Sequence, residues 1–138
     1  MSTFPGRALC FAPRARVLGS LLLATALTVS CRDSRYHDQA IARMVGGNPS
    51  RGPMLIRSYG CSTCHTIAGV AGANGLVGPP LTGIAQRSFI AGVLPNAPEN
   101  MVRWIEDPKA VDPLTAMPVL GVSPADARDI AAYLYTLR

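Results

Sequence analysis

Two thiols separated by two residues, with an imidazole directly after the second, make up Cys61-Ser62-Thr63-Cys64-His65. That pattern suits covalent attachment of a haem, with thioether bonds from Cys61 and Cys64 to its vinyl groups and His65 left beside the iron as an axial ligand. Two other chemistries use a Cys-x-x-Cys pair. A tetrahedral zinc site needs two further ligands, yet the remaining cysteines, Cys10 and Cys31, lie in the N-terminal apolar region and His37 is the only other histidine. A thioredoxin-like dithiol needs a preceding strand and βαβ surroundings, whereas Gly60 and a glycine-rich segment flank this motif. Haem attachment is the preferred reading.

A haem iron has a second axial position, and the sequence offers several methionines for it. Met117 lies in Asp112-Pro113-Leu114-Thr115-Ala116-Met117-Pro118, an extended, proline-bracketed segment. A methionine outside any helix is poorly placed as core filler and well placed to aim its thioether at a metal, so it is the favoured distal ligand over a plain packing role. Met54 and Met101 recur on helical patterns and read as core filler, while Met44 and His37 sit on a polar leader and read as solvated. A metal-bound histidine normally gives its other ring N–H to an oxygen acceptor, and the Pro79 carbonyl, stiffened by Pro80, is the candidate here. Trp104 reads as core by its helical spacing, with a ring able to line the haem pocket.

Positioning these groups falls to a few short elements. Ser50 is the expected cap of a helix running through Tyr59, with Met54, Leu55, Ile56 and Tyr59 as its apolar content and Gly60 as its stop. That helix delivers Cys61. From Thr66 to Gly83 the glycines at 69, 72, 75, 78 and 83 predict a loop lying close against the haem, since no strand precedes it and no lysine completes a phosphate-binding pattern. Asn96-Ala97-Pro98-Glu99 predicts a helix start, with Asn96 as cap and Pro108 as its end. The clearest helix opens at Ser123-Pro124-Ala125-Asp126 and carries Ala127, Ile130, Ala131 and Leu134 on one stripe, with Tyr133 beside it. It is expected to cross the first helix.

The N-terminal third reads differently. Arg7, Arg14 and Arg16 precede the apolar run from Val17 to Val29, which is short for a membrane span and suits an export signal over residues 1–30. Cys31 follows Leu27-Thr28-Val29-Ser30, an imperfect lipobox, and is the candidate lipidation site. Ordinary cleavage near Ala24-Thr25-Ala26 and an uncleaved anchor are the alternatives. Residues 31–48 read as a flexible tether and residues 49–138 as the domain. Removing the signal takes away three arginines and leaves ten basic against eight acidic residues. A balance so near neutral, with no basic run interleaved with aromatics, argues against nucleic-acid binding.

These motifs, in this order, resemble the class I c-type cytochromes over about residues 47–138. The resemblance rests on the helix ending in CSTCH, the GPPLTG segment, a helix closed by Asp107-Pro108, the TAMP loop and a last helix containing AAYL. It implies an all-α fold of three to five short helices wrapped around one covalently attached haem c, with Cys61 and Cys64 as thioether sites, His65 and Met117 as iron ligands and Pro79 as the histidine's carbonyl partner. It further implies that Arg87 lies near a haem propionate and that Trp104 is a pocket aromatic. Two features depart from soluble relatives: Ala116 stands where several carry a lysine, and Lys109 is the only lysine in the chain. The pattern looks more like membrane-tethered bacterial cytochromes associated with haem–copper oxidases.

The expected function is one-electron transfer by a non-enzymatic carrier, exported and lipid-anchored on the periplasmic side of a bacterial membrane. It would serve membrane redox complexes such as a terminal oxidase. Two rivals remain open: a haem enzyme or gas sensor with an open distal site, and a fixed haem subunit of a dehydrogenase or oxidase. Against the first, the sequence shows no distal acid–base pair, and His37 lies in the leader.

Overall fold

Residues 40–138 are described by a computed structural model. The expected export signal and the residues Cys10, Cys31 and His37 lie outside the described residues. Within them, apolar stripes are too short to form independent helices and are stabilised by packing on one another.

Helix α1 spans Gly52–Ser58, helix α2 Pro98–Glu106, helix α3 Pro108–Val111 and helix α4 Pro124–Leu134. Single 3₁₀ turns at Pro49–Arg51, Cys61–Thr63 and Ile84–Gln86 join or precede them. A two-stranded antiparallel ribbon, β1 (Phe89–Ile90) and β2 (Leu94–Pro95), pairs Phe89 with Pro95 and Ile90 with Leu94. Its turn places Ala91 and Gly92 at positive φ (51° and 77°) and closes with Val93 N–H donating to the Ile90 carbonyl at 3.0 Å. This ribbon was not among the expected elements, because five apolar residues around one glycine carry little periodicity.

The last helix organises the rest, as its stripe predicts. Ser123 caps it by accepting from the Asp126 amide at 3.2 Å. Ala127, Ile130, Ala131, Ala132 and Leu134 are buried against α1 and α2. Close crossing needs small residues on the partner: a Cβ on Gly52 would sit 2.7 Å from Cγ of Tyr133. Ile56 on α1 is completely buried, and burial of such a side chain contributes about 2 kcal/mol. Met54, expected as core filler, is instead 52% exposed.

Two local expectations differ from the structure. Asn48, not Ser50, caps the first turn, its side chain accepting from the Ser50 amide at 3.0 Å while its own N–H reaches Asp129 Oδ1 at 2.6 Å. Ala97, not Asn96, precedes α2, and that cap makes no side-chain hydrogen bond. Asn96 is drawn away because its amide group spans two carbonyls and a phenol, as described below. The helix does end at Asp107-Pro108 as expected, but a further short helix starts there: Asp107 leaves the helical conformation at φ −147° and its side chain caps α3 by accepting from the Ala110 amide at 2.9 Å.

The tether expected over residues 31–48 is packed structure over its final stretch. Residues 40–45 are helical, with Ile41 and Val45 in the core. Gly47 is pressed against α4, where a Cβ would lie 2.8 Å from the Asp129 amide nitrogen. Two apolar residues four apart supply the stripe, masked in the sequence by the arginines and glycines around them. An ionic cluster holds the same junction: Arg51 meets Asp129 at 2.5 Å and Asp126 at 3.2 Å, and the Tyr59 hydroxyl donates to Asp126 Oδ2 at 2.8 Å. Asp129 is the buried charge of this cluster, which explains why it takes a guanidinium and a backbone amide.

Candidate haem site

One cavity of about 590 Å³ brings together all seven residues expected at the site: Cys61, Cys64, His65, Pro79, Arg87, Trp104 and Met117. Its size is typical of cofactor pockets, roughly 300–1,000 Å³. Ile56, Met101, Ile105 and Ile130 supply apolar wall from three helices. A flat hydrophobic macrocycle suits such a lining.

The attachment segment is formed by a sharp stop. Gly60 adopts φ 76°, which ends α1 and turns the chain into the Cys61–Thr63 turn. The Cys61 carbonyl then accepts from the amides of Cys64 at 3.3 Å and His65 at 3.0 Å, so one turn carries all three reactive side chains to the cavity wall. Neither cysteine is in a disulfide, so both sulfurs are available for thioether bonds. Burial pushes the Cys61 thiol up, against a backbone hydrogen bond that lowers it and with Cys64 adding to the rise. Thioether bonds from Cys61 and Cys64 would hold a haem against this wall. Among the described residues no group of three or more His, Cys, Asp and Glu side chains assembles, so the zinc alternative gains no partner set there.

His65 is fixed from behind. Its Nδ1 lies 2.8 Å from the Pro79 carbonyl, the acceptor expected from the sequence. Donation there puts the proton on Nδ1 and leaves Nε2 free to ligate a metal. Gly78 makes the approach possible, because a Cβ at this position would lie 2.7 Å from Nδ1 and 2.9 Å from Nε2. The loop is registered against the motif by Gly78 N–H to the Cys64 carbonyl and Leu81 N–H to the Thr66 carbonyl, both at 2.8 Å. Thr66 Oγ1 adds a bond to the Gly75 carbonyl at 3.0 Å. The sequence indicated close approach for the glycine-rich loop as a whole; that Gly78 bears on the imidazole emerges only from the fold.

Arg87 lines the cavity while its guanidinium donates to the carbonyls of Pro80 at 2.5 Å and Thr82 at 3.3 Å. It thus braces the peptide next to the histidine's acceptor. Asn96, missed as a supporting residue, ties this wall to α4: its Nδ2 donates to the Ile84 and Arg87 carbonyls at 2.8 and 2.7 Å, and its Oδ1 accepts from the Tyr135 hydroxyl at 2.7 Å. Burial, with Glu99 adding, pushes Tyr135 up to about 12, so it remains a donor. The ribbon contributes Phe89 and Ile90 as further wall. Trp104 is buried, as a pocket aromatic should be.

Met117 also lines the cavity, half-buried in the loop that follows α3. Its amide donates to Thr115 Oγ1 at 3.2 Å.

The sequence model of the Cytochrome c family matches residues 50–138. The chain belongs to the cytochrome c family. Its cofactor is therefore a covalently bound haem c with its iron, its chemistry is haem-based electron transfer, and its fold is that family's small, mostly helical one. A curated protein described as cytochrome c oxidase subunit 2, from Alkalihalophilus pseudofirmus (strain ATCC BAA-2126 / JCM 17055 / OF4), is 32% identical over 90 residues. The match covers 64% of this chain and 25% of that protein, so the chain spans only about a quarter of its relative's length. No solved structure gives a significant match.

Proposed function

We propose that this cytochrome is a membrane-tethered one-electron carrier in which Cys61 and Cys64 hold the haem, His65 and Met117 fill both axial positions, and the partners are respiratory complexes such as a terminal oxidase. The observation that carries the reading is the placement of His65 and Met117 on one cavity with both thiols, the histidine already oriented by Pro79. The bound haem iron supplies the redox chemistry by alternating between ferric and ferrous states. The protein's part is to hold an imidazole and a thioether, of which the latter favours the ferrous form and raises the potential. Apolar walls exclude water and limit reorganisation when the charge changes.

Val77 and Phe89 line the cavity and are 82% and 55% exposed, which places apolar side chains at its mouth. Leu76 beside them is 87% exposed. Electrons would pass here to a partner in a small, short-lived contact, with little of the charge steering that a lysine-rich rim provides. A lipid on Cys31 would compensate by concentrating the carrier near membrane complexes on the periplasmic side. The oxidase association draws support from the subunit 2 relative.

The open-site alternative makes a different claim about the iron. Among the described residues the ionisable side chains on the cavity wall are Cys61, Cys64, His65 and Arg87, and none of them is a second histidine. The test is the ferrous spectrum of the haem-loaded protein with and without carbon monoxide. Slow or absent binding at neutral pH is expected, and rapid stoichiometric binding would sink the carrier reading. For the tether, mass spectrometry of the mature protein should find a lipidated Cys31 as first residue; an unmodified start near Leu27 would refute it.

A further inference from the structure

Burial does not hold the loop that presents Met117. Pro113, Leu114, Ala116, Pro118 and Val119 are all exposed, Leu114 to 94%. Apart from Met117 itself, which packs half-buried against the core, a segment so little packed keeps one conformation only if its backbone is hydrogen-bonded, and here those bonds come from within the same stretch of chain. Asp112 Oδ1 accepts from the Leu114 amide at 3.0 Å, and its carbonyl accepts from the Thr115 amide at 3.1 Å. Thr115 Oγ1 in turn accepts from the Met117 amide. These bonds shape the turn, but none of them attaches it to the rest of the domain.

Beyond the packing of the Met117 side chain itself, that attachment comes from Lys109. Its Nζ donates to the Thr115 carbonyl and, at 3.4 Å, to that of Pro113, spanning the two residues before the ligand loop turns inward. The lysine stands on a firm base: Pro108 is fully buried, and Asp107 caps the turn of α3 that carries it. We propose that Lys109 is the positioning residue of the distal side, a latch from α3 onto the loop carbonyls that holds the Met117 thioether at the iron. The proposal rests on the reading of Met117 as axial ligand. It gives the chain's only lysine a task within the site, distinct from partner docking.

The test uses the haem-loaded full chain and imidazole as a competing iron ligand. Lys109→Met keeps the aliphatic stem and removes the donor; Lys109→Arg keeps a cationic donor. Lys109→Met should raise imidazole affinity about fivefold, the worth of a partly exposed charged hydrogen bond, and weaken the far-red methionine-to-iron charge-transfer band at neutral pH. Lys109→Arg should stay with the parent protein. A loop merely stabilised by lysine would show a lower unfolding temperature with an unchanged band and unchanged imidazole affinity, and that result overturns the proposal. So does a Lys109→Arg protein that behaves like Lys109→Met. Met117→Ala, measured alongside, separates the two levels: loss of the band there with no effect of Lys109→Met rejects the latch alone, whereas a band that survives Met117→Ala rejects the ligand assignment beneath it.

Discussion

The two sides of the cavity are built by opposite means. On the histidine side, residues 61–83 fold back on themselves with Ile67, Val70 and Ala73 buried, Gly78 against the imidazole, and Arg87 bracing the turn. Its atoms are positioned by packing and by a carbonyl aimed at a ring. On the methionine side, residues 112–119 lie mostly in solvent and depend on a few hydrogen bonds from their own chain and from Lys109. The difference indicates that His65 is fixed by the fold itself, while Met117 can be loosened without unfolding the domain.

That contrast can be broken most severely from the proximal side. Gly78→Val puts carbon where the imidazole ring must lie, and the haem-loaded protein should lose its low-spin six-coordinate spectrum altogether while far-ultraviolet circular dichroism persists. A spectrum unchanged by this substitution would mean that, with haem bound, the ring does not lie against Gly78 as it does here. Ile56→Ala, which empties a fully buried site beneath both α4 and the cavity, should cost about 3 kcal/mol in denaturant unfolding. No loop substitution between 112 and 116 should approach that figure.

Smaller effects sharpen the comparison. Arg51→Ala leaves the buried Asp129 carboxylate with only the Asn48 amide and should destabilise by about 2 kcal/mol, leaving the methionine band intact. The acid limb of stability supplies a pH test. Hydrogen bonds from Tyr59 and Ser123, then the Arg51 charge, hold the Asp126 carboxyl below the usual aspartate range. A carboxyl whose folded value is depressed stabilises fully above its unfolded value, about 4, and loses that contribution as pH falls through the folded value. Asp126→Asn should therefore flatten the thermal stability curve below about pH 4 and lower it at neutral pH. An acid limb identical to the parent's would show that Asp126 is not the group responsible.

How much of this could be read from the chain differs between the same two sides. The motif Cys61 to His65, the Pro79 acceptor and the capped helix from Ser123 follow from local chemistry, and each lies where the sequence indicated. Met117 reaches the common cavity because prolines keep its loop out of any helix. What the sequence hid was long-range. Asn96 looked like a cap because caps are local, but its amide is used by carbonyls nine and twelve residues away and by a phenol thirty-nine away. Residues 40–48 read as a tether because two buried apolar side chains, followed by Gly46-Gly47-Asn48 and preceded by a polar leader, make only a short, weak stripe. Lys109 stood out only as a solitary lysine, since its acceptors are backbone carbonyls, which every sequence contains.

The central claim is that His65 and Met117 both ligate the iron. Its most direct measurement is the absorption spectrum of the purified, haem-loaded protein in both oxidation states, recorded beside that of Met117→Ala. The parent protein should be low-spin with a far-red methionine band, and Met117→Ala should lose that band, become high-spin or bind added ligands readily, and shift to a lower potential. A methionine band that persists in Met117→Ala would contradict the account.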